Sequence, residues 1–383
     1  MNFDLDKEHN LIREKVRLFA EQEIKPAAPL LDENETFSVD LTKKMGKLGL
    51  FGMDIPEKYG GLGTDTLSYI IAVEELARVD GSHAATLAAH NSLGIGPIYN
   101  YGTEEQKKKY LPSLCTGEAI WAFGLTEPDA GSDALGCKTK AELNDGKWII
   151  DGSKIFITNG ASDISAGVTV LAVTGENEGK KEFTALLVEK GTKGYSAKEL
   201  KGKMMWRASD TSSLRFDNCI VPEENTLGVK GQGSSIMLRT LDNGRLSIAA
   251  MGLGCARGAY EMALSYSRKR KQFGRAISGF QAIAFKLADM ALKIELAQNL
   301  LYKACWLKDN NREFAKESAM SKLYCSEIAR EVTDEAVQIH GGYGLMKSND
   351  IERFYRDQRM LQIGEGTSEI QRLIISRHIL NKM

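Results

Sequence analysis

The strongest constraint on the fold is the order of hydrophobic patterns along the chain, which is helical, then strand-like, then helical again. Within residues 1–120 apolar side chains recur at helical spacing, as at Ile12, Val16 and Phe19. From residue 121 onward, short β-rich pieces such as KWIIDGSKIFIT, GVTVLAV and FTALLVE are separated by glycine-containing turns. This order predicts two helical domains with a β domain between them.

The third segment contains the most regular pattern in the chain. Its apolar positions alternate between spacings of four and three residues, which defines one continuous seam on a helix. The seam consists of Ile283, Leu287, Met290, Ile294, Ala297 and Leu301. Because such a seam requires another helix against it, we predict a helical bundle here. The expected domains are therefore an N-terminal helical domain (1–120), a middle antiparallel β domain (121–228) and a C-terminal helical bundle (229–383).

Composition excludes several classes of protein. With 383 residues, the chain is too long for one hydrophobic core and too ordinary in composition for long disordered stretches. Fifty basic and 51 acidic residues give a net charge of −1, so nucleic acid is not an expected partner. No run of eighteen apolar residues occurs, so membrane insertion is not expected. Six cysteines without a CxxC pair and no visible targeting segment predict a cytoplasmic location.

Several common cofactor and metal motifs are absent or imperfect. The glycines at 252, 254 and 258 imitate a dinucleotide-binding fingerprint, but the third comes one residue late and the preceding RLSIAAM is typical of a helix. There is no P-loop pattern, and no two of the five histidines have metal-ligand spacing. We therefore expect neither a nicotinamide Rossmann site nor a metal.

Two segments of the β region are rich in small and polar residues. Phe123–Asp133 (FGLTEPDAGSD) offers several backbone N–H groups and hydroxyls to one ligand, an arrangement suited to flavin oxygens and phosphate. The alternative is a turn-rich connection between strands. Lys154–Gly160 (KIFITNG) is predicted to place Phe156 and Thr158 on one face of a strand, where they either meet a planar ring or pack in the ordinary way.

Two further segments lie near the C-terminus. Gln338–Gly344 (QIHGGYG) follows a predicted helix, and its glycines either allow close approach to a ligand or end that helix. Ile363–Arg372 (IGEGTSEIQR) places Glu365 between two glycines, just before a helix capped by Thr367 or Ser368. That carboxylate either belongs to the helix cap or acts as a base in an apolar pocket.

Together these four segments resemble the acyl-CoA dehydrogenase family, and more closely its short-chain, butyryl-type branch. The similarity runs over essentially the whole chain. The stretches that carry it are EKYGG (57–61), NSLG (91–94), YGTEEQKKKYLP (101–112), LDNGRLSIAA (241–250), RKQFGRAISGFQAIAFKLADM (270–290) and YRDQRMLQIGEGTSEIQR (355–372). The resemblance implies an α+β, mainly α fold whose C-terminal part is a four-helix bundle. It also implies FAD as cofactor and a homo-oligomer, expected to be a dimer of dimers.

The resemblance also implies which residues bind FAD. The positions expected near its flavin ring and diphosphate are Phe123, Leu125, Thr126, Gly131, Ser132, Phe156, Ile157, Thr158, Thr367 and Glu369. The positions expected to meet the cofactor of a neighbouring subunit, mainly at its adenosine half, are Arg270, Phe273, Gln281, Gln338, Gly341 and Gly342.

For the substrate, the resemblance implies a coenzyme A thioester and one catalytic base. The base is expected to be Glu365, because the position at which some branches carry their glutamate is Gly244 here. The positions expected to bind coenzyme A or line the acyl end are Ser132, Asp242, Arg245, Asn91, Leu93, Gly364 and Gly366. Gly364 replaces the usual tyrosine, which predicts extra space for a branched or alicyclic short acyl group beside the straight butyryl-like alternative.

The implied reaction is α,β-dehydrogenation of a short acyl-CoA to the 2-enoyl-CoA in fatty acid metabolism. Glu365 is expected to remove the Cα proton, hydride passes from Cβ to flavin N5, and an electron-transferring flavoprotein is the expected acceptor. Three alternatives stay open: an enoyl-CoA reductase running the reaction in reverse, an acyl-CoA oxidase, and a DNA-associated member of the fold. The last two typically carry C-terminal extensions or basic regions that are not seen here.

Overall fold

The computed structural model describes residues 4–380. The N-terminal part is helical, and most of its helices begin at a side chain that accepts a backbone N–H, such as Asp65 and Thr103. Its helices are α1 (Lys7–Phe19), α2 (Lys25–Glu33), α3 (Val39–Lys47), α4 (Thr66–Ala77), α5 (Gly81–Ala89), α6 (Gly96–Tyr101) and α7 (Glu104–Cys115). Two π-helical segments, Ala20–Ile24 and His90–Ile95, interrupt this helical part.

The middle part is one twisted sheet. Its strands are β1 (Ile120–Gly124), β2 (Lys140–Asn144), β3 (Lys147–Thr158), β4 (Ser165–Asn177), β5 (Lys180–Glu189), β6 (Tyr195–Glu199), β7 (Thr211–Pro222) and β8 (Thr226–Leu227). The order across the sheet is β6-β7-β3-β2-β4-β5-β8, with β1 beside β4. Most pairs are antiparallel as predicted, but β1 and β2 each run parallel to β4.

The C-terminal part is helical again, with a short hairpin after its longest helix. Its elements are α8 (Gly233–Lys269), β9 (Lys271–Gln272), β10 (Arg275–Ala276), α9 (Gln281–Asp309), α10 (Ala315–His340), α11 (Ile351–Asp357) and α12 (Ser368–Leu380). The predicted seam on α9 is confirmed, since five of its six side chains are buried and Ile283 packs at the edge of the same core. The predicted order of helical, β and helical parts is confirmed as well.

Two cores hold these parts together and a third lies within the sheet. The largest core joins α4 and α5 with α8, α9 and α10, so the first and last helical parts share one hydrophobic interior. A second core joins α6 and α7 to one side of the sheet through Trp121 and Phe123. The third core fills the other side of the sheet around Trp148. The end of β1 is therefore held between the helices and the sheet.

The glycines that imitate a dinucleotide fingerprint are a packing feature of α8. A Cβ added at Gly254 would overlap the carbonyl oxygen of Glu74, and one added at Gly258 would overlap that of Arg78. A Cβ at Gly252 would come within 2.7 Å of the Cys325 carbonyl oxygen on α10. These glycines thus allow α8 to lie backbone against backbone with its neighbours, as expected for tightly packed helices.

None of the helices within residues 4–380 combines the length and the apolar character that crossing a bilayer requires.

This packing predicts the effect of one added methyl group. Gly254→Ala should lower the free energy of unfolding by about 1–3 kcal/mol, because overpacking against backbone outweighs the helix preference of alanine. The matched control is Gly279→Ala, where the new Cβ meets only the flexible Arg275 side chain at 3.7 Å. Thermal unfolding should show a lowered Tm for the first variant alone; an unchanged or raised Tm for Gly254→Ala would contradict the packing argument.

Candidate active site

Glu365 lies in a tight turn between α11 and α12. A 3₁₀ segment, Gln358–Gln362, follows α11, after which Glu365 and Gly366 adopt left-handed backbone conformations with φ of 52° and 97°. Of the two predicted caps, Thr367 begins α12, since its Oγ1 accepts from the Ile370 N–H at 3.3 Å. A left-handed glutamate is unusual and costs conformational energy, so the surrounding contacts must hold it in place.

Two fully buried side chains supply those contacts. Lys322 of α10 donates from Nζ to the Gly366 carbonyl at 2.6 Å. Gln371 of α12 donates from Nε2 to the same carbonyl at 2.9 Å and to the Glu365 carbonyl at 3.2 Å. The backbone of the turn is therefore fixed to two helices of the bundle.

The Glu365 carboxylate lies directly over Gly244 of α8. A Cβ added at Gly244 would overlap Oε2 of Glu365, and it would also come within 3.1 Å of Cδ2 of Leu93. Oε2 is buried and has no hydrogen-bond partner among the residues that the structure describes. The carboxylate thus occupies a space that exists only because residue 244 has no side chain.

Burial determines the protonation of this carboxylate. Removal from solvent raises the pKa of Glu365 to about 7, and the positive charges of Lys322 and Arg245 oppose that rise. A carboxylate with such a pKa is a far stronger base than an exposed one, yet it is still largely ionised just above neutral pH.

Asp242 and Arg245, predicted to bind coenzyme A, lie one turn apart on α8. The Arg245 side chain is buried and ion-paired with Asp242, and the Asp242 backbone carbonyl accepts from Ser318 Oγ at 2.7 Å. Burial raises the pKa of Asp242, while the adjacent guanidinium lowers it. The pair therefore places one compensated positive charge near Glu365.

On the sheet side, the end of β1 and the end of β3 lie together. The Ile155 N–H donates to the Thr126 carbonyl at 3.0 Å, joining the loop after β1 to β3. Beneath them, fully buried Lys154 donates to the Leu125 carbonyl at 3.1 Å and to Glu127 Oε1 at 2.8 Å. The two polar segments predicted from the sequence are thereby brought to one place.

These two segments expose some groups and bury others. Phe123, Leu125 and Ile157 are buried, whereas the Phe156 ring is 67% exposed. A bulge between Lys154 and Ile157 and a φ of 61° at Phe156 interrupt the strand. The simple alternation used to place Phe156 and Thr158 on one face therefore does not apply here, because the bulge redirects the chain.

The loop after β1 continues outward to Gly131 and Ser132. Both residues are exposed, and a Cβ added at Gly131 would meet nothing within 4 Å. Thr126 and Thr158, at the inner ends of the two segments, are partly buried. The segments therefore present accessible hydroxyls and backbone beside an exposed aromatic ring.

The π-helical segment His90–Ile95 connects the sheet side to Glu365. His90 Nδ1 accepts from the Trp121 N–H at 3.0 Å, which fixes the segment to β1, while Leu93 reaches towards Gly244. Both polar atoms of the Asn91 amide bond to the backbone at Gly52 and Leu50. Leu93 thus lies close to Gly244 and Glu365, while the Asn91 amide has a structural role within the described contacts.

A second group of predicted residues lies elsewhere. From Gly244 to Arg270 the chain advances about 26 residues along α8, or about 39 Å at 1.5 Å per residue. There the Arg270 guanidinium lies 5.7 Å from the centre of the Tyr343 ring, and the Phe273 ring is 93% exposed. The predicted residues at this end are all exposed; they are Arg270, Phe273, Gln281, Gln338, Gly341 and Gly342. The structure thus brings these residues together, but far from Glu365.

The space beside Gly364 is not open. A Cβ added at this glycine would overlap Cε of Met360, which belongs to the preceding 3₁₀ segment. Free space was expected because Gly364 stands where the family usually has a tyrosine. The sequence does not reveal that the Met360 side chain, four residues earlier, folds back over this glycine. Partly buried Thr367 caps α12, and exposed Glu369 lies in the first turn of that helix.

Sequence reasoning missed Lys322, Gln371 and Met360. One signal was available for Lys322: on a helix it shares a face with Ala319 and Cys325, and a lone lysine on an apolar face points to a specific buried partner. Gln371 and Met360 gave no comparable signal. Within residues 4–380, no three His, Cys, Asp or Glu side chains are grouped as metal ligands.

Three family models match consecutive parts of the chain. They are described as the N-terminal, middle and C-terminal domains of acyl-CoA dehydrogenase, and they match residues 6–118, 122–219 and 231–380. The short-chain specific acyl-CoA dehydrogenase of Clostridium acetobutylicum is 46% identical, over 99% of this chain and 100% of that protein. Acryloyl-CoA reductase (NADH) of Anaerotignum propionicum is 42% identical, over 100% and 97%.

Solved structures also match this chain over almost its whole length. Butyryl-CoA dehydrogenase from Megasphaera elsdenii superposes with a TM-score of 0.96 at 41% identity, over 99% of this chain and 100% of that one. A chain in a structure of the electron transferring flavoprotein of Acidaminococcus fermentans gives 0.96 at 44%, with the same coverage. Acyl-CoA dehydrogenase complexed with FAD from Bacillus anthracis gives 0.92 at 38%, over 99% and 68%. With all three domains matched along its length, the chain belongs to the acyl-CoA dehydrogenase family.

Proposed function

We propose that this enzyme uses FAD to dehydrogenate a short, straight acyl-CoA to its 2-enoyl-CoA, with Glu365 as the catalytic base. The observation that carries the proposal is the Glu365 carboxylate, buried over Gly244 with Oε2 lacking a partner. A buried, unpaired carboxylate oxygen costs free energy unless a ligand uses it. Its position beside Leu93 fits a base facing an acyl chain.

The residues on the sheet side fit the flavin part of FAD. Phe156 presents an exposed ring suited to stacking on a planar heterocycle. Thr126, Ser132 and Thr158 offer hydroxyls, and the open backbone at Gly131 allows close approach of polar cofactor atoms. FAD, when bound, supplies the acceptor for the hydride that leaves Cβ of the substrate.

The residues at the C-terminal end of α8 are suited to contact a cofactor bound to a second copy of the chain. They lie about 39 Å from Gly244 along the helix, beyond the reach of side chains around Glu365. The cationic Arg270 and the exposed Phe273 ring suit a phosphate and an adenine. We therefore assign this end, with Gln281 and Gln338–Gly342, to the FAD of a neighbouring subunit in a homo-oligomer.

The chemistry of the chain itself centres on one proton. The Glu365 carboxylate takes the proton from Cα of the thioester, and the electrons of that C–H bond form the Cα=Cβ double bond as hydride leaves Cβ. The Glu365 backbone N–H has no acceptor within residues 4–380, so it is free to donate to the thioester oxygen and stabilise developing enolate charge. Burial of the carboxylate keeps water from competing for the proton.

The acyl group is assigned from the packing around Gly364. Because Met360 fills the space that a side chain at this position would take, the pocket suits a straight butyryl-like chain better than a branched or alicyclic one. The kinship with short-chain specific and butyryl-CoA enzymes supports the same assignment. Methionine is flexible, so the branched alternative stays a testable prediction.

The electron acceptor and the direction of the reaction are also assigned by similarity. The likeness to a chain from an electron transferring flavoprotein structure supports such a flavoprotein as the acceptor. The relative named acryloyl-CoA reductase supports the second candidate, a reductase working in the opposite direction through the same site. Supplying reduced flavoprotein with enoyl-CoA, and oxidised flavoprotein with acyl-CoA, separates the two directions by their rates.

The base is tested by Glu365→Gln, which keeps size and polarity but cannot accept the proton. FAD and acyl-CoA should still bind, while flavin bleaching on anaerobic mixing slows by about 100- to 10,000-fold or more. Glu313→Gln, at an exposed glutamate in the loop before α10, is the matched control and should bleach at the wild-type rate. Full-rate bleaching in Glu365→Gln would refute the assignment.

The space over Gly244 provides an independent test. Gly244→Ala should displace the Glu365 carboxylate, since the added Cβ overlaps Oε2, and the reductive rate should fall by about tenfold to a thousandfold. FAD content and Tm should stay close to wild type, because the clash involves a side-chain end rather than backbone. An unchanged rate would show that the carboxylate works from another position.

The acyl assignment predicts a change in specificity. Met360→Ala should raise kcat/KM for isobutyryl-, 2-methylbutyryl- or cyclohexanecarboxyl-CoA relative to butyryl-CoA by about tenfold or more, because it opens the pocket beside Gly364. Met204→Ala, at a 55% exposed methionine, should leave the ratios unchanged. A wild-type enzyme that already prefers the branched thioesters would contradict the straight-chain assignment.

A further inference from the structure

Lys322 is a buried cation without an ion-pair partner. Lys322 belongs to α10, and its side chain is fully buried between the turn of Glu365 and the core of the bundle. Among the described residues its ammonium lies in no salt bridge, and its one hydrogen bond is to the Gly366 carbonyl at 2.6 Å. A buried charge of this kind is costly, so a specific function for it is expected.

We propose that Lys322 is the positioning residue for the base. Its ammonium fixes the turn through the Gly366 carbonyl and supplies a positive charge that favours the ionised form of the adjoining Glu365 carboxylate. This inference rests on the proposed role of Glu365, and it adds a residue that neither the motifs nor the resemblance pointed to.

The electrostatics of the site support this role. Burial raises the pKa of Glu365 to about 7, and among the charges that oppose the rise Lys322 has a larger effect than Arg245. The positive charge of Arg245 is compensated by its ion pair with Asp242. Burial also lowers the pKa of Lys322 to about 8, with Glu365 opposing that fall, so the ammonium is still charged at pH 7.

Other ionisable groups around the pair do not replace Lys322. Tyr69 of α4 interacts electrostatically with Glu365, but burial raises the pKa of Tyr69 well above the usual value, so it is neutral at working pH. Glu369 acts on Lys322 from the exposed first turn of α12 and favours its charged form. Lys322 is therefore the main uncompensated positive charge acting on the base.

The two buried donors to the Gly366 carbonyl allow charge and tethering to be separated. Lys322→Gln removes the charge and keeps an amide that can donate, and Lys322→Met removes both. Gln371→Met is the matched control, because it removes a tether to the same carbonyl and leaves the charge in place. FAD content and Tm are measured for each purified holoenzyme.

Two measurements report on the base. The first is the pH dependence of anaerobic flavin reduction by butyryl-CoA; the second is an infrared titration of the carboxyl stretch without substrate, with Glu365→Gln as the reference. Activity requires the carboxylate, so wild-type activity should rise as pH passes through about 7. Loss of the ammonium disfavours the carboxylate, so the midpoint should move upward by about one unit or more in both lysine variants.

Gln371→Met should keep the wild-type midpoint even if its rate falls. The proposal is overturned if the lysine variants keep that midpoint, if Gln371→Met moves it equally, or if both lysine variants lose FAD while Gln371→Met retains it. Failure of the proposed function has a different signature, namely full-rate bleaching by Glu365→Gln. A clear wild-type titration with an immobile midpoint in the lysine variants would reject the role of Lys322 alone.

Discussion

The candidate active site depends on a carboxylate enclosed in a space that another helix leaves empty. Glu365 lies over Gly244 of α8, and a single methyl group there would overlap its Oε2. Enclosure raises the pKa of the carboxyl to about 7, and the same enclosure leaves Oε2 without a partner in the described part of the chain. Basicity and readiness for substrate therefore have one physical cause, which is the exclusion of water from this position.

The rest of the fold holds that carboxylate in a turn it would not adopt alone. The left-handed turn is tied to α10 by Lys322 and to α12 by Gln371. α10 belongs to the core that α8 shares, and α12 packs on α10. α8 itself lies backbone against backbone with α4 and α10 through its glycines. The position of the Glu365 turn is thus set by the bundle.

Much of the fold could be predicted from local sequence patterns, because the spacing of apolar residues and the residues that form turns depend on neighbouring positions in the sequence. The α9 seam and the glycine turns of the sheet are examples. The turn of Glu365 before α12 could be predicted because glycines flank the residue and a capping threonine follows. The parallel pairing of β1, the bulge at Phe156 and the filling of the Gly364 space by Met360 could not, since each depends on how distant or folded-back segments pack. The bonding of the Asn91 amide to the backbone of Gly52 and Leu50 is a further contact that local pattern does not indicate.

The central claim is that Glu365 is the base, and a crystal structure of the holoenzyme with a non-oxidisable butyryl-CoA analogue tests it most directly. The measured quantity is the distance from the Glu365 carboxylate to Cα of the bound acyl group. The account predicts contact within about 3–3.5 Å, as proton transfer requires, with the acyl chain between this carboxylate and the flavin. An acyl chain bound elsewhere, or a Glu365 side chain turned into solvent, would contradict it.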